Sequence, residues 1–305
     1  MRKAVFLLLR ASIVPFLIRE MVQRRRVTII LYHDIGPERA AAHLRALKAR
    51  YAVIPLRAFV EALRERKTSA LPPKSLVVTF DDGHRGNHAL TPVFERLGTP
   101  VTIFLCSRIV GTSRGFWFLH EASAERIAEL KAMSDAEREV RLREAGFDKE
   151  RDLPARQALS AEELRDMRDI VDFQSHTMFH PILPHCADDE AGREIVESKA
   201  DLEAFLGRPV YALSYPNGDY SDRDVALARA AGYECGITVD AGLNSGATDP
   251  FLLKRICIGD DDSVTEMLVK ASGLWALLKK AVMGQEHGRV AAEGEGRGHL
   301  SRASR

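Results

Sequence analysis

Short apolar runs rich in β-branched residues recur through most of the chain, separated by stretches whose apolar residues follow a helical spacing. The runs RVTIILYH, AVIPL, SLVVTF, PVTIFLC, IVDFQSH, VYALSYP, YECGITV and LLKRICI read as strands. Most are apolar without a break rather than alternating, the pattern of strands covered on both faces in a parallel sheet. Between most of them lie amphipathic stretches, among them HLRALKAR, LRAFVEALRERK, REIVESKADLEAFLG and DRDVALARAAG. Ser160 with Glu163 and Ser263 with Glu266 have the spacing of capping boxes, which start helices, while Gly98, Gly207 and Gly232 mark stops. Seven or eight repeats of strand then helix predict an α/β protein, either a barrel or a doubly wound sheet.

Three regions break this rhythm. Residues 107–159 are highly charged and mostly helical in pattern, and are expected to form an insertion over the mouth of the sheet. Residues 1–26 join an apolar stretch, AVFLLLRASIVPFLI, to the basic run Arg24, Arg25 and Arg26. That stretch is shorter than the ~20 residues of a spanning helix, contains Arg10 and Pro15, and lacks a small-residue cleavage site. An amphipathic helix, lying on a membrane or packed on the domain, and an atypical signal or anchor are the alternatives. The expectation taken forward is a cytoplasmic protein that touches a membrane surface through residues 1–26. Residues 284–305 hold almost no large apolar side chain, which predicts a disordered tail and leaves the globular domain to residues 27–283.

Composition narrows the class of partner. The chain has 305 residues, 46% apolar and 29% charged, enough to bury the core of a large soluble α/β domain. A net charge of +1 does not advertise the basic face that counterion release needs, so no nucleic-acid partner is expected. The four cysteines lack metal-type spacing and read as buried free thiols. No G-x-G-x-x-G or P-loop pattern and no internal repeat occurs, which removes the usual nucleotide-binding readings.

Candidate chemistry gathers where strands are predicted to end, which is where parallel α/β folds keep their reactive groups. SLVVTF runs into Asp81, Asp82 and Gly83. Two adjacent acids at a strand's mouth repel each other and must be desolvated together, so something positive is expected between them. The strand IVDFQSH continues as SHTMFH, whose His176 and His180 stand four residues apart and can face one ion. Two imidazoles and one carboxylate suit a divalent ion such as zinc, with positions left open for water. With Asp82 on the ion, Asp81 lies beside a water of lowered pKa and can take its proton as general base. Taken singly, each motif has an ordinary structural reading: Asp-Asp-Gly a turn, Tyr-Pro-Asn-Gly a β-turn, His33 a half-buried histidine. Their shared position at strand ends is what predicts a site.

TFDDG, followed by SHTMFH and then YPNG, resembles the NodB-type polysaccharide deacetylases, carbohydrate esterase family four. The opening ILYHDIG, the following HLRALKARYAVIPLRAFVEAL and the late GLNSGATDPFLLKRI resemble the subgroup that begins with a Tyr-His strand end. The resemblance spans roughly residues 27–260 and implies a distorted (β/α) barrel of about seven strands with a metal-dependent hydrolysis of N-acetyl groups on sugars. It implies Asp81 as general base, Asp82, His176 and His180 as ligands of one divalent ion, most simply Zn2+, and an N-acetylated carbohydrate as substrate. The backbone N–H of Asn217, just after Pro216, would help hold the oxyanion.

Two departures from the family pattern stand out. Many members carry an arginine two residues before the motif proline, where this chain has Ser214, and a Leu-x-His motif supplying the general acid, where FLLKRI has no histidine. Arg255 is expected to supply the missing positive charge from its own strand end. His33 is the first candidate for the acid and His84 the second. Trp117, with Phe116 and Phe118, and Tyr215 are expected to stack on a sugar ring. Two competing functions remain: a hydrolase of a non-sugar amide on the same fold, and a catalytically impaired carbohydrate-binding homologue. The missing arginine and histidine favour the impaired homologue, and the intact Asp81, Asp82, His176 and His180 set opposes it.

Overall fold

A computed structural model describes residues 2–120 and 123–283. Its centre is a ring of parallel strands: β1 (Thr28–Tyr32), β3 (Ser75–Phe80), β4 (Val101–Leu105), β5 (Val171–Ser175), β6 (Ala212–Ser214), β7 (Cys235–Ala241) and β8 (Leu253–Cys257). Each pairs with the next, and β8 pairs with β1 (Ile30 opposite Ile256) while β1 pairs with β3 (Ile29 opposite Val77), so the seven strands close into a barrel. The eighth strand, β2 (Ala52–Val53), pairs only with the start of β3 and stands outside the ring. AVIPL is thus a strand for two residues only: Pro55 caps a helix from Leu56 to Arg64 and ends the extended run there.

Every residue of β1, β3, β4 and β6 is buried, as the unbroken apolar runs require of strands enclosed on both sides. One core cluster joins Ile30, Tyr32, Val78, Phe80 and Ile103 to the surrounding helices, including Leu44 and Leu47 of the helix Pro37–Lys48. The alternate face of the strands carries Ile29, Val77, Phe104, Ile237 and Leu253, which cluster with Leu56, Phe59 and Val60 of the helix Leu56–Arg64. Capping boxes start the helices at Ser160 and Ser263 as expected, and two more, at Ser134 and Ser221, escaped the sequence reading. Gly98 and Gly207 end helices in the left-handed conformation that only glycine adopts without cost. All four cysteines are free; Cys106, Cys186 and Cys235 are buried, whereas Cys257 is exposed.

Residues 107–159 leave the end of β4 as loops, a short turn over Trp117–Leu119, and two helices, Ala124–Ala132 and Asp135–Glu144. They have their own small core of Trp117, Leu130, Leu142 and Phe147, closed by Ile182 from the loop after β5. Residues 2–25 form the helix Arg2–Ala11 followed by short helical turns, and Phe6 is buried with Val269 and Leu274. No helix among the described residues is long and apolar enough to cross a membrane. The tail expected over residues 284–305 lies outside the described residues.

Candidate metal centre and active site

At the carboxyl end of β3 the chain turns sharply. Asp82 has φ +71 and Gly83 has φ +76, and a Cβ on Gly83 would meet Leu105 Cδ2 at 2.6 Å, so the turn both twists the backbone and requires a bare glycine. The loop after β5 is twisted in the same way, with Thr177 at φ +65 and His180 at φ +59, as is Asn217 after β6 at φ +59. Left-handed non-glycine backbone costs on the order of 1–3 kcal/mol per residue and persists where surrounding contacts enforce it, commonly at functional sites. Four of the six such residues in the described chain lie in these three loops, at one end of the barrel.

There the side chains converge. Asp82 Oδ1 lies 3.4 Å from His176 Nε2 and 3.5 Å from His180 Nε2, and the three candidate ligand atoms all fall within 4.8 Å of one another. All three residues are buried, and Asp82 Oδ1 has no hydrogen-bond partner. A buried carboxylate oxygen left bare costs several kcal/mol unless a cation or proton satisfies it. The two imidazole nitrogens aimed at it complete a donor set suited to zinc. His176 Nδ1 lies 2.7 Å from the Ser214 carbonyl, which holds the proton on that nitrogen and frees Nε2 to coordinate. Burial pushes the His180 imidazole down to about 3, so it stays neutral and available as a ligand. Burial works against ionised Asp82, yet its contacts with His176 and His84 outweigh this and hold its carboxyl well below the usual range. The residues present therefore fit one divalent cation.

Asp81 sits beside this triad, its Oδ2 3.8 Å from His176 Nε2. Arg255, which is fully buried, donates to both of its oxygens, at 2.7 and 2.8 Å, and also to Ser214 Oγ at 2.9 Å and the Thr238 carbonyl at 2.8 Å. Ser214 Oγ in turn lies 3.3 Å from Asp81 Oδ2. The serine at the position of the family's arginine is thus part of a clamp whose guanidinium comes from β8. Burial alone would raise the Asp81 carboxyl, but the charge of Arg255, aided by His176, more than offsets it and leaves Asp81 lowered and ionised.

Residues 68–236 match the family model for polysaccharide deacetylases, over half of the chain. The chain belongs to the polysaccharide deacetylase family. Membership places it among hydrolases of carbon–nitrogen bonds other than peptide bonds, in a family acting on acetylated polysaccharides. A relative is YxkH of Bacillus subtilis (strain 168), provisionally named a polysaccharide deacetylase, 22% identical over 242 residues, covering 76% of this chain and 71% of that one. The fold is similar to the Streptococcus pyogenes deacetylase PplD, solved with acetate, at TM-score 0.61 and 20% identity, over 81% of this chain and 98% of that one. It is similar also to IcaB of Ammonifex degensii, at TM-score 0.61 and 18% identity, over 81% and 97% of the two chains.

Several expectations about this deacetylase-family site need correcting. Trp117 is no open stacking platform: it is buried in the core of the insertion, and its indole N–H donates to the His180 carbonyl at 2.8 Å. Tyr215 is fully buried, packs on Tyr220 and donates its hydroxyl to the Phe251 carbonyl, so its ring is core as well. Phe116 is buried against His84, while half-buried Phe118 lies 4.8 Å from the His180 ring. His84 Nε2 is taken up by Asp82 Oδ2 at 3.0 Å, which makes it a support for that carboxylate. His33 is half-buried, and its backbone is tied to Asp260 and Asn87. The Tyr32 hydroxyl pairs with His43 on the helix Pro37–Lys48 at 3.1 Å. Pro216 is buried, and the Asn217 N–H takes no part in the hydrogen bonds of its own turn, which run from Gly218 to Tyr215 and from Asp219 to Pro216.

Two residues that the sequence reading missed belong to the site's framework. Glu194, on the helix Asp188–Leu206, accepts the backbone N–H groups of Met178 and Phe179 at 2.7 and 3.0 Å, pinning the loop between the two histidines. Lys131, from the insertion, donates to Asn217 Oδ1 and feels the charge of Asp82; burial lowers its ammonium pKa. Neither carries a motif; only the helical phase of Glu194 toward the barrel, at apolar spacing with Ala191, Ile195 and Leu202, could have marked it.

Proposed function

We propose that this chain removes acetyl groups from the nitrogen of N-acetylated sugar residues in a glycan or glycan precursor, using one divalent ion held by Asp82, His176 and His180. The observation that carries this reading is the bare, buried Asp82 Oδ1 facing two imidazole nitrogens, with an ionised Asp81 clamped alongside. When bound, such an ion would polarise the amide carbonyl and lower the pKa of water toward neutrality.

The chain's own groups supply the rest. Asp81 takes the proton of the attacking water at a carboxylate oxygen; it is ionised at neutral pH because Arg255 offsets its burial. Arg255 and Ser214 fix its orientation through the bidentate pair and the hydroxyl bridge. The Asn217 N–H, free of its own turn, is available to the oxyanion, and Lys131 adds a cation on the same side. His33 returns a proton to the departing amine. The Arg255 clamp supports a working base and speaks against the impaired homologue, which would have no use for a held, ionised Asp81.

The test is acetate release from N-acetylglucosamine oligomers with and without chelator. Loss of release with EDTA and its return with zinc supports the reading. A metal-loaded protein that releases no acetate from any N-acetylated glycan, yet cleaves simple acyl amides, overturns the sugar assignment. One that cleaves neither overturns turnover itself.

A further inference from the structure

The described residues carry fifteen exposed large apolar side chains, and eleven of them fall in two short segments, residues 5–22 and residues 277–278. Scattered exposed apolar residues are ordinary; a concentration of this kind marks a binding surface. Leu8 and Met21 are each 73% exposed, Ile13 65%, Leu7 60% and Leu277 58%. The two segments are distant in sequence but adjacent in space. Phe6 is the inward anchor, its ring 4.7 Å from that of Trp275, and Leu277 and Leu278 stand within one turn of that contact on the helix Leu274–Met283. The helix Arg2–Ala11 therefore spends its buried side on the domain and leaves the opposite side without a partner.

Charge decides what covers it. Arg10, Arg24, Arg25 and Arg26 flank the apolar residues on one segment and Lys279 and Lys280 on the other. Glu20 is the one carboxylate in residues 4–26, and it is neutralised by Arg19 and Lys74. An apolar face rimmed by cations and free of net acid is complementary to the boundary between headgroups and acyl chains of an anionic bilayer. No helix among the described residues is long and apolar enough to cross, and binding in the plane of the surface is what this face fits.

We propose that residues 5–22 and 277–280 form one surface that seats the protein peripherally on an anionic lipid bilayer. The position of this surface fixes the orientation. Gln23 hydrogen-bonds Thr28 at the start of β1, and Arg24 accepts from Lys74 just before β3, so the surface lies at the amino end of the barrel. The Asp81–Asp82 site is at the carboxyl end and faces away from the membrane.

Co-sedimentation of the full chain with vesicles tests this without any substrate, and so independently of the deacetylase reading. Vesicles containing phosphatidylglycerol should pellet the protein at low salt, pure phosphatidylcholine far less, and high salt should release it. Neutralising Arg24, Arg25 and Arg26 together to Gln should weaken binding on the order of 100-fold. Leu8→Glu and Leu277→Glu should each weaken it by about tenfold or more. Because both leucines face solvent, the melting temperature should not move, which separates lost binding from lost folding. The proposal is overturned if phosphatidylglycerol vesicles do not pellet the chain at low salt, or if Leu277→Glu binds like the parent. It is equally overturned if the chain self-associates without lipid and Leu8→Glu makes it monomeric, since a second copy would then cover this face.

Discussion

Replacing Arg255 by Met would remove a guanidinium while keeping most of its volume, and would leave Asp81 buried at 3% exposure without its main compensating charge. Breaking a buried pair by deleting one partner costs about 3–5 kcal/mol, because the surviving charge stays desolvated. The Thr238 carbonyl, also buried, loses its donor and adds about 1 kcal/mol or more. The expected loss is therefore about 4–6 kcal/mol, a large share of the about 5–15 kcal/mol typical of a domain. Urea unfolding of the chelator-treated protein reads it, with Arg255→Lys as a folded intermediate that keeps the charge but not the bidentate geometry. The pH dependence provides a second readout. In the parent, Asp81 is lowered, so its contribution is present above the unfolded carboxyl value of about 4 and fades as pH falls below it. In Arg255→Met, the main charge that opposes burial is gone and Asp81 shifts upward, so ionising it costs stability as pH rises. The gap between parent and variant should then be wider at pH 7 than at pH 4. A gap under 1 kcal/mol at pH 7, or one that widens toward acid, would refute the clamp.

The remaining predictions concern the loops around the triad. Glu194→Ala should weaken zinc binding, measured calorimetrically, by about 10–100-fold through loss of the loop's anchor, whereas Glu194→Gln, which still offers an oxygen, should lose much less. Burial pushes Glu194 up to about 7, so the parent loses stability as pH climbs from the unfolded value of about 4.3 toward 7. Glu194→Gln should not show that decline in thermal melts followed across this range. Lys131→Met should lower kcat rather than raise KM and should remove an alkaline limb beginning below the ordinary lysine range, because burial lowers that ammonium; an unchanged alkaline limb would take Lys131 out of the site. Trp117→Phe should cost about 1–3 kcal/mol of stability through the unpaired His180 carbonyl, with KM for an acetylated oligosaccharide unchanged; a raised KM at equal stability would restore the stacking role.

The fold was legible because its strands are enclosed on both faces and so are written as unbroken apolar runs. The one poor strand assignment, AVIPL, has two residues in a ladder because Pro55 cannot continue it. The acids and histidines were legible because DDG and HTMFH put reactive groups directly after strands. The stacking residues were misread for a physical reason: an aromatic beside a site looks the same in sequence whether its ring faces solvent or fills the core, and Trp117 and Tyr215 fill the core. Lys131 was invisible because it meets the site from the insertion through a contact that no local spacing encodes, and Glu194 left only its inward helical phase as a sign.

The seam between β1 and β8 also bears on how the chain is made. The edge of β1 that will receive β8 emerges early in synthesis, while its partner, paired at Ile30 with Ile256, follows more than two hundred residues later. Until then the nascent barrel is an open sheet with an unpaired, apolar border, the kind of edge that captures other chains. The same late strand delivers Arg255, so a ribosome that stops short of it leaves an unclosed ring and two neighbouring acids with no guanidinium to balance them. Premature termination near residue 250 should thus produce insoluble material rather than a smaller folded protein.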